Sequence, residues 1–376
     1  MALEKILPIR NAIRRSRADQ YILILLLSFA GSVSGTRLFL ELTGYPKIGT
    51  GNIHIAHVLW GGLILFAATV LPLIFANRWT FTLSALLSGI GVGLFIDEVG
   101  KFITANNDYF TPAAAPIVYA FFLVTLLVYT QTKKSEPKDP RSSLYSVLDT
   151  MEEVVDKDLS KEEMADMLDR LQKIKTRSDR PELITLATNL EEFLTSSNLT
   201  LVIHRPMLME RVSQFWDILE KKYFSQHRTR LLVSLSLIAF GVWSLFSTVG
   251  VLLLSRKPDQ LQQLITELMN DRVVRNITGM NWFEARISME GGVGLILLLC
   301  GLLILVKKDR PAVNISIFTQ IISISVFNLL LFYFDQFSAI INTFFQFIIL
   351  VLTLRYRKRF LTKKIRQPIE EKIDGR

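Results

Sequence analysis

The sequence of 376 residues is poor in cysteine and in charge. It contains one cysteine, Cys300, which excludes an intramolecular disulfide and leaves the redox compartment open. Charged residues make up 20% of the chain against 50% hydrophobic residues, a balance that excludes an ordinary soluble protein. The chain also lacks a nucleophile elbow, an HExxH helix, a dinucleotide fingerprint and a CxxC pair. A soluble-type enzyme embedded in this sequence is therefore not expected.

Long apolar segments are what the sequence has instead. Eight segments approach the roughly 20 residues that a helix needs to cross a hydrocarbon core. They are residues 20–42, 53–76, 81–104, 111–131, 229–255, 289–306, 312–334 and 337–355. We therefore predict an all-α fold, a polytopic membrane helix bundle of about eight transmembrane helices with a small helical cytoplasmic insert.

The net charge of +9 is confined to the two tails. Residues 1–19 carry five basic and two acidic groups, and residues 355–376 carry nine and three, which gives +3 and +6. Together with the basic residues between spans, this predicts an inner (plasma) membrane protein with both termini cytoplasmic. The expected partners are the bilayer and anionic lipid headgroups at the tails. A homo-oligomer is compatible with the pattern, and nucleic acid is not expected.

The spans fall into two groups separated by a polar stretch. We predict an N-terminal four-span membrane unit at 1–131, a cytoplasmic helical bundle at 132–228 and a C-terminal four-span unit at 229–376. The last includes an external interfacial loop at 256–288 and the basic tail. In the insert, Ser160 and Glu163 fit a capping box, and Pro181 suits the first turn of the next helix. The nine acids between Asp149 and Asp169 are interpreted as a solvated face.

Ionisable residues cluster at the ends of the first three spans. Counting about 1.5 Å of rise per residue places them in one layer near the external edge of the bilayer, whereas the inner halves of these spans carry no charge. Charged groups inside a membrane are a functional-site hypothesis by default. The residues are Arg37, Glu41, His54, His57, Asp97, Glu98 and Lys101.

Three kinds of chemistry fit this cluster. A divalent metal ion is one, with His54, His57 and Asp97 as ligands, since two histidines three positions apart share a helix face. A proton or solute path is another, because imidazole titrates near neutrality. The third is structural pairing of Arg37 with Glu41 and of Asp97 with Lys101. Asp97 and Glu98 diverge by about 100° on a helix, so only one of them is expected to face the histidines.

Roles follow from the same chemistry. Asp97, Glu98 and His57 are the candidate catalytic groups, and Arg37, Lys101 and Glu41 are the candidate substrate-binding groups. Glycines four apart, at Gly31 and Gly35 and at Gly89 and Gly93, predict close helix packing around the cluster. The sequence leaves three functions open: a metal-dependent membrane-embedded enzyme, a transporter or channel, and a sensor or scaffold that signals through the insert.

The stretch from Ile53 to Phe110 resembles a loose group of prokaryotic multipass membrane proteins. Their shared features are a His-rich helix start, a Gly-x-Gly helix ending in Asp-Glu, and a short acidic-aromatic loop. The residues that carry the resemblance here are His54, His57, Gly61, Gly91, Gly93, Asp97, Glu98, Asp108 and Tyr109. The resemblance implies that the first four spans form a unit, and it implies no activity.

Overall fold

A computed structural model describes most of the chain. The described residues are 12–44, 56–109, 111–133, 139–196, 224–255 and 277–362, with residues 199, 201, 202 and 215 between them. Within this part the chain is helical and contains no β-strand. The fold is therefore all-α, as the sequence predicts.

Among the described residues, seven helical stretches are long and apolar enough to cross a membrane. They are Ala18–Thr43, His57–Ile74, Arg78–Asp97, Ala114–Lys133, Gln226–Gly250, Met280–Leu305 and Asp309–Leu361. The last runs for 53 residues and turns at Gln336–Ser338, so that its two arms pack against each other. Counted as two arms, it corresponds to the seventh and eighth predicted spans. The protein is thus an integral, multipass membrane protein.

The helices are numbered in chain order. The membrane helices of the first half are α1 (Ala18–Thr43), α2 (His57–Ile74), α3 (Arg78–Asp97) and α5 (Ala114–Lys133), with the short α4 (Val99–Ile103) before α5. The insert contributes α6 (Pro140–Val155), α7 (Lys161–Arg177) and α8 (Pro181–Ser196). The second half contributes α9 (Gln226–Ser255), α10 (Ile277–Leu305), α11 (Asp309–Ile322), α12 (Asn328–Asp335) and α13 (Ala339–Tyr356).

Two boundaries differ from the sequence prediction. The third span ends at Asp97 rather than at 104, since Glu98 leaves the helical conformation with φ −90° and ψ 10°. The sixth span begins at Ile277, twelve residues before its predicted start, so residues 277–288 of the predicted external loop are helical. The rest of that loop, and the predicted fourth helix of the insert apart from Phe215, lie outside the described residues.

The chain divides into two compact units. The first comprises residues 1–98 and 121–213, and the second comprises residues 99–120 and 214–376. The sequence suggested three segments, with the insert separate from both groups of spans. The insert joins the first unit because its acidic helices pair with arginines at the ends of α1 and α3.

Glycine allows α3 to pack closely between α1 and α2. A Cβ atom at Gly89 would lie 2.4 Å from the Leu25 carbonyl oxygen of α1, and one at Gly91 would lie 2.9 Å from the Gly61 carbonyl oxygen of α2. Such distances leave no room for a side chain, so glycine is required at both positions. The predicted role of Gly89 in close packing is confirmed.

The other predicted glycine pair does not share this role. A Cβ atom at Gly93 would lie 2.6 Å from Ser32 of α1, which confirms the prediction for that residue. Gly31 and Gly35 of α1, in contrast, have open space beside them. The prediction that these two glycines allow close packing is wrong for the described residues, because they lie on a face of α1 away from α3.

The insert packs its acidic side against the ends of α1 and α3. Asp149 lies 3.5 Å from Arg15 and 3.6 Å from Arg78, and Glu153 one turn later pairs with Arg78 and lies 3.8 Å from Arg17. The interpretation of these acids as a solvated face is therefore wrong for Asp149 and Glu153. Arginine at a helix N-terminus is disfavoured by the helix dipole, and these carboxylates offset that cost.

Two sequence predictions within the insert are confirmed. Ser160 and Glu163 form the predicted capping box at the start of α7, and Pro181 occupies the first position of α8. The three helices enclose a small apolar core. Its fully buried members are Val147, Leu159, Met167, Leu171, Ile174, Ala187 and Leu194.

In the second unit, α9 and α10 pack closely along their length. Gly241 and Gly294 bring the two backbones together, and the Ser244 hydroxyl donates a hydrogen bond of 2.7 Å to the Glu290 carbonyl. Between α11 and α12 the helix passes through a π-helical segment, Ser323–Phe327. The Tyr119 hydroxyl donates a hydrogen bond of 2.7 Å to the Ile324 carbonyl within that segment.

Adjacent glycines in α2 provide a matched test of the close packing. At Gly61 an added Cβ would lie 2.8 Å from two backbone atoms of α3, whereas at Gly62 it would meet nothing. We expect Gly61→Ala to lower the free energy of unfolding by about 1–3 kcal/mol and Gly62→Ala to leave it nearly unchanged. Thermal unfolding in detergent measures both, and equal effects would contradict the packing.

The acidic pair of the insert predicts a pH dependence. Burial raises the pKa of Glu153 to about 7, with Glu163 adding to the rise and Arg78 opposing it. The folded state therefore holds a proton that the unfolded chain releases near its ordinary pKa of 4.5. The resulting stability is fully present below that value and is lost as the pH rises toward 7.

Replacing Glu153 should remove this dependence. In Glu153→Gln, we expect unfolding temperatures to fall less between pH 4.5 and 7 than they do in the unmodified protein. Glu162→Gln, an exposed position on α7, is the control and should keep the original slope. Identical slopes in the two variants would show that Glu153 does not carry the proton.

Candidate functional site

The ends of α1, α2 and α3 bring four ionisable side chains together. Arg37 and Asp97 each lie nineteen residues after the first residue of their helices, Ala18 and Arg78. That is about 28 Å along each axis. His57 is the first residue of α2, whose chain runs the opposite way. Counting residues along antiparallel spans thus correctly predicted their common depth.

Arg37 and Asp97 form a buried ion pair between α1 and α3. The Arg37 Nε donates to Asp97 Oδ1 at 2.5 Å, and its Nη2 donates to the Asp97 carbonyl at 3.0 Å. Asp97 is fully buried, and Arg37 is 7% exposed. Two donors on one guanidinium fix the carboxylate and also satisfy a carbonyl at the end of α3. The predicted pairing of Arg37 with Glu41 is wrong, since Glu41 is exposed on the last turn of α1.

His57 lies between two carboxylates. Its Nε2 is 3.1 Å from Asp97 Oδ2, and its Nδ1 is 3.0 Å from Glu98 Oε1. Glu98 is 1% exposed, while the His57 side chain is 23% exposed. The imidazole is therefore the member of the cluster that reaches the protein surface.

Both adjacent acids contact the histidine, which contradicts the prediction that only one would do so. That prediction assumed a continuous helix, in which Asp97 and Glu98 diverge by about 100°. The helix instead ends at Asp97, and the turn at Glu98 directs the second carboxyl group to the other edge of the ring. The end of α3 is the feature that completes the cluster.

The contacts favour a second hydrogen on His57. A neutral imidazole has one N–H donor, but both of its nitrogens lie within 3.1 Å of a carboxylate oxygen. A second hydrogen lets both nitrogens face a carboxylate, and imidazole is the more basic partner. With His57 protonated, these four side chains carry two positive and two negative charges. Without that proton, the four carry one negative charge in excess, which is costly in a membrane span.

The predicted metal site has no support in the described part of the chain. No group of three or more His, Cys, Asp or Glu side chains there is arranged to hold a metal ion. The physical reason is that Asp97 and Glu98 lie against opposite ring nitrogens of His57, so the three do not converge on one point. His54, the other predicted ligand, lies outside the described residues.

Lys101, the remaining predicted residue, belongs to the second unit. It lies on α4, half-buried, with its ammonium 5.2 Å from the centre of the Tyr109 ring.

Sequence reasoning missed a second charged group in the second unit. Arg286 lies 3.4 Å from Glu290 and 2.5 Å from Asp335. The spacing of four residues between Arg286 and Glu290 was a usable signal. It was missed because residues 277–288 were assigned to a loop, which separated the arginine from the membrane helix that carries it.

The proton count at His57 can be tested by nitrogen NMR of histidine-labelled protein. We expect His57 to carry hydrogens on both ring nitrogens near neutral pH, and its signal is assigned by its loss in His57→Gln. Glu98→Gln removes one carboxylate, so His57 should become neutral there while Arg37 and Asp97 stay paired. A neutral His57 in the unmodified protein would contradict the count.

Comparison with known proteins adds no family. No protein-family model, curated protein or solved structure matches the chain. The function therefore has to be inferred from the contacts described above.

Proposed function

We propose that this membrane protein is a proton-responsive signal transducer. The Arg37–Asp97–His57–Glu98 cluster binds and releases one proton, and α1 and α3 transmit the change to the helical insert. The proposal extends the sensor hypothesis from the sequence. We prefer this function to metal-dependent catalysis, because the described residues offer no set of metal ligands.

One observation carries the proposal: α1 and α3 are joined at both ends by contacts between arginines and carboxyl groups. At one end, Arg37 of α1 pairs with Asp97 of α3. At the other end, Arg17 directly before α1 and Arg78 at the start of α3 both contact Glu153 of the insert. The two helices thus link the cluster to the insert without an intervening loop.

The proton gives this arrangement two states. When His57 is protonated, Asp97 is shared between Arg37 and His57, and the cluster is neutral. When the proton leaves, Asp97 and Glu98 together exceed Arg37 by one negative charge, which favours a rearrangement that readmits water or a cation. Because Arg37 and Asp97 hold α1 against α3, this rearrangement biases the position of both helices.

The direction of sensing follows from the predicted topology. With both termini and the insert in the cytoplasm, the cluster faces the outer side, where His57 is its exposed member. The same topology places the basic tails beside anionic lipid headgroups of the inner leaflet. The signal would then run from the outer side to the insert.

Transport is the second candidate. Buried amides favour it, because Gln320, Asn328 and Gln346 lie inside the two arms of Asp309–Leu361 and are at most 5% exposed. Polar groups at membrane depth often mark a solute or ion path. Proton flux into proteoliposomes that disappears in Asp97→Asn would favour transport over sensing.

Hydrogen exchange tests the coupling between the cluster and the insert. Asp97→Asn removes the carboxylate charge that holds Arg37 while keeping the size of the side chain. We expect amides of α6 to exchange about fivefold faster or more in this variant, because part of the coupling free energy is lost. Exchange is measured by mass spectrometry on the full chain at a single pH.

A matched control separates coupling from general destabilisation. Glu41→Gln changes an exposed carboxylate one turn beyond Arg37 and should leave α6 unchanged. Exchange in α9 and α10 of the second unit reports whether Asp97→Asn keeps its fold. If α6 exchanges at the original rate in Asp97→Asn, the cluster and the insert are not coupled.

A further inference from the structure

The second unit contains a small polar cavity that the proposed function does not use. Its volume is about 20 Å³, which is room for one water-sized occupant. The cavity is lined by side chains from α9, α10, the π-helical segment Ser323–Phe327, α12 and α13. Its polar lining residues are Ser244, Arg286, Glu290, Ser323, Asn328, Asn342 and Gln346.

Two carboxylates accompany one arginine at the edge of this cavity. Arg286 lies 3.4 Å from Glu290 and 2.5 Å from Asp335, and Asp335 itself does not line the cavity. These three side chains carry one negative charge in excess. The Glu290 Oε2 atom is buried, and its 3.4 Å contact with Arg286 is not a hydrogen bond. A carboxylate oxygen with two lone pairs and no hydrogen bond has unused capacity for a cation.

The uncharged lining supplies further oxygen atoms. Asn328 is 2% exposed and donates to Gln346 Oε1 at 2.7 Å and to Thr343 Oγ1 at 3.1 Å. Gln346 donates to the Ser323 hydroxyl at 3.4 Å. These bonds connect both arms of Asp309–Leu361 and hold the amides beside the cavity. Carboxylate, amide and hydroxyl oxygens are the ligands that hard cations prefer.

The backbone beside the cavity has an unusual form. The π-helical segment Ser323–Phe327 interrupts the membrane helix where Ser323 and Phe327 line the cavity. Such segments occur frequently at functional sites. In membrane transporters, interrupted helices are also where Na⁺ and H⁺ sites form. The helix form and the excess negative charge therefore point to the same kind of occupant.

We propose that this cavity binds one monovalent alkali cation, Na⁺, with the Glu290 carboxylate as its charged ligand. The bound ion offsets the excess negative charge of Arg286, Glu290 and Asp335 taken together. Divalent ions fit less well, since Ca²⁺ takes six to eight oxygen ligands and Mg²⁺ retains several waters. The site belongs to the second unit and is independent of the proton site at His57.

Na⁺ binding to the full-length protein tests the proposal. We expect saturable binding of radioactive Na⁺ with one ion per chain. Replacing choline chloride by NaCl at constant ionic strength should raise the unfolding temperature by about 3 °C. Glu290→Gln should weaken Na⁺ binding about tenfold or more, because the ligand charge is removed.

Three further variants keep the test decisive. Glu284→Gln changes an exposed carboxylate on the same helix and should bind Na⁺ as the unmodified protein does. Asn342→Asp adds a carboxylate at a half-buried lining position and should tighten binding, which covers the case that Glu290→Gln fails to fold. Asp97→Asn in the first unit should not change Na⁺ binding. No saturable Na⁺ binding, or equal losses in Glu290→Gln and Glu284→Gln, would overturn the proposal.

Discussion

The structure of the first unit depends on the buried ion pair between Arg37 and Asp97. Two charges at membrane depth are tolerated only as a pair, and removing one partner from such a pair typically costs about 3–5 kcal/mol. The pair therefore fixes α1 against α3 at one point along their length. Because α3 also packs on α2 through glycine, the same pair determines where His57 meets the carboxylates.

In each unit, one arginine lies in a cluster with two carboxylates. In the first unit, Arg37 contacts Asp97, Glu98 contacts His57, and the proposed second positive charge is a proton on His57. In the second unit, Arg286 contacts Glu290 and Asp335, and the proposed second positive charge is Na⁺. Exchangeable cations at both sites would make the protein sensitive to its ionic surroundings.

The sequence predicted the fold through apolar segments of sufficient length, and it predicted the depth of Arg37, His57 and Asp97 by counting residues. It named Glu98 as a candidate but did not predict that Asp97 and Glu98 would both contact His57, because that depends on the helix ending at Asp97. Contacts such as Arg286 with Asp335 join residues distant in sequence, and no local pattern encodes them. The contacts of Glu153 with Arg17 and Arg78 were missed for the same reason. A run of acidic residues has the same sequence pattern whether its side chains are solvated or paired with arginines.

The placement of Arg17 and Arg78 has a consequence for biosynthesis. The ribosome synthesises α1 and α3 before the insert. More than fifty residues separate the end of α3 from Glu153, so the arginines are made well before their partner. During that interval the carboxylates of α6 cannot pair with these arginines. The contacts between the insert and the starts of α1 and α3 therefore form only after both membrane helices have been made.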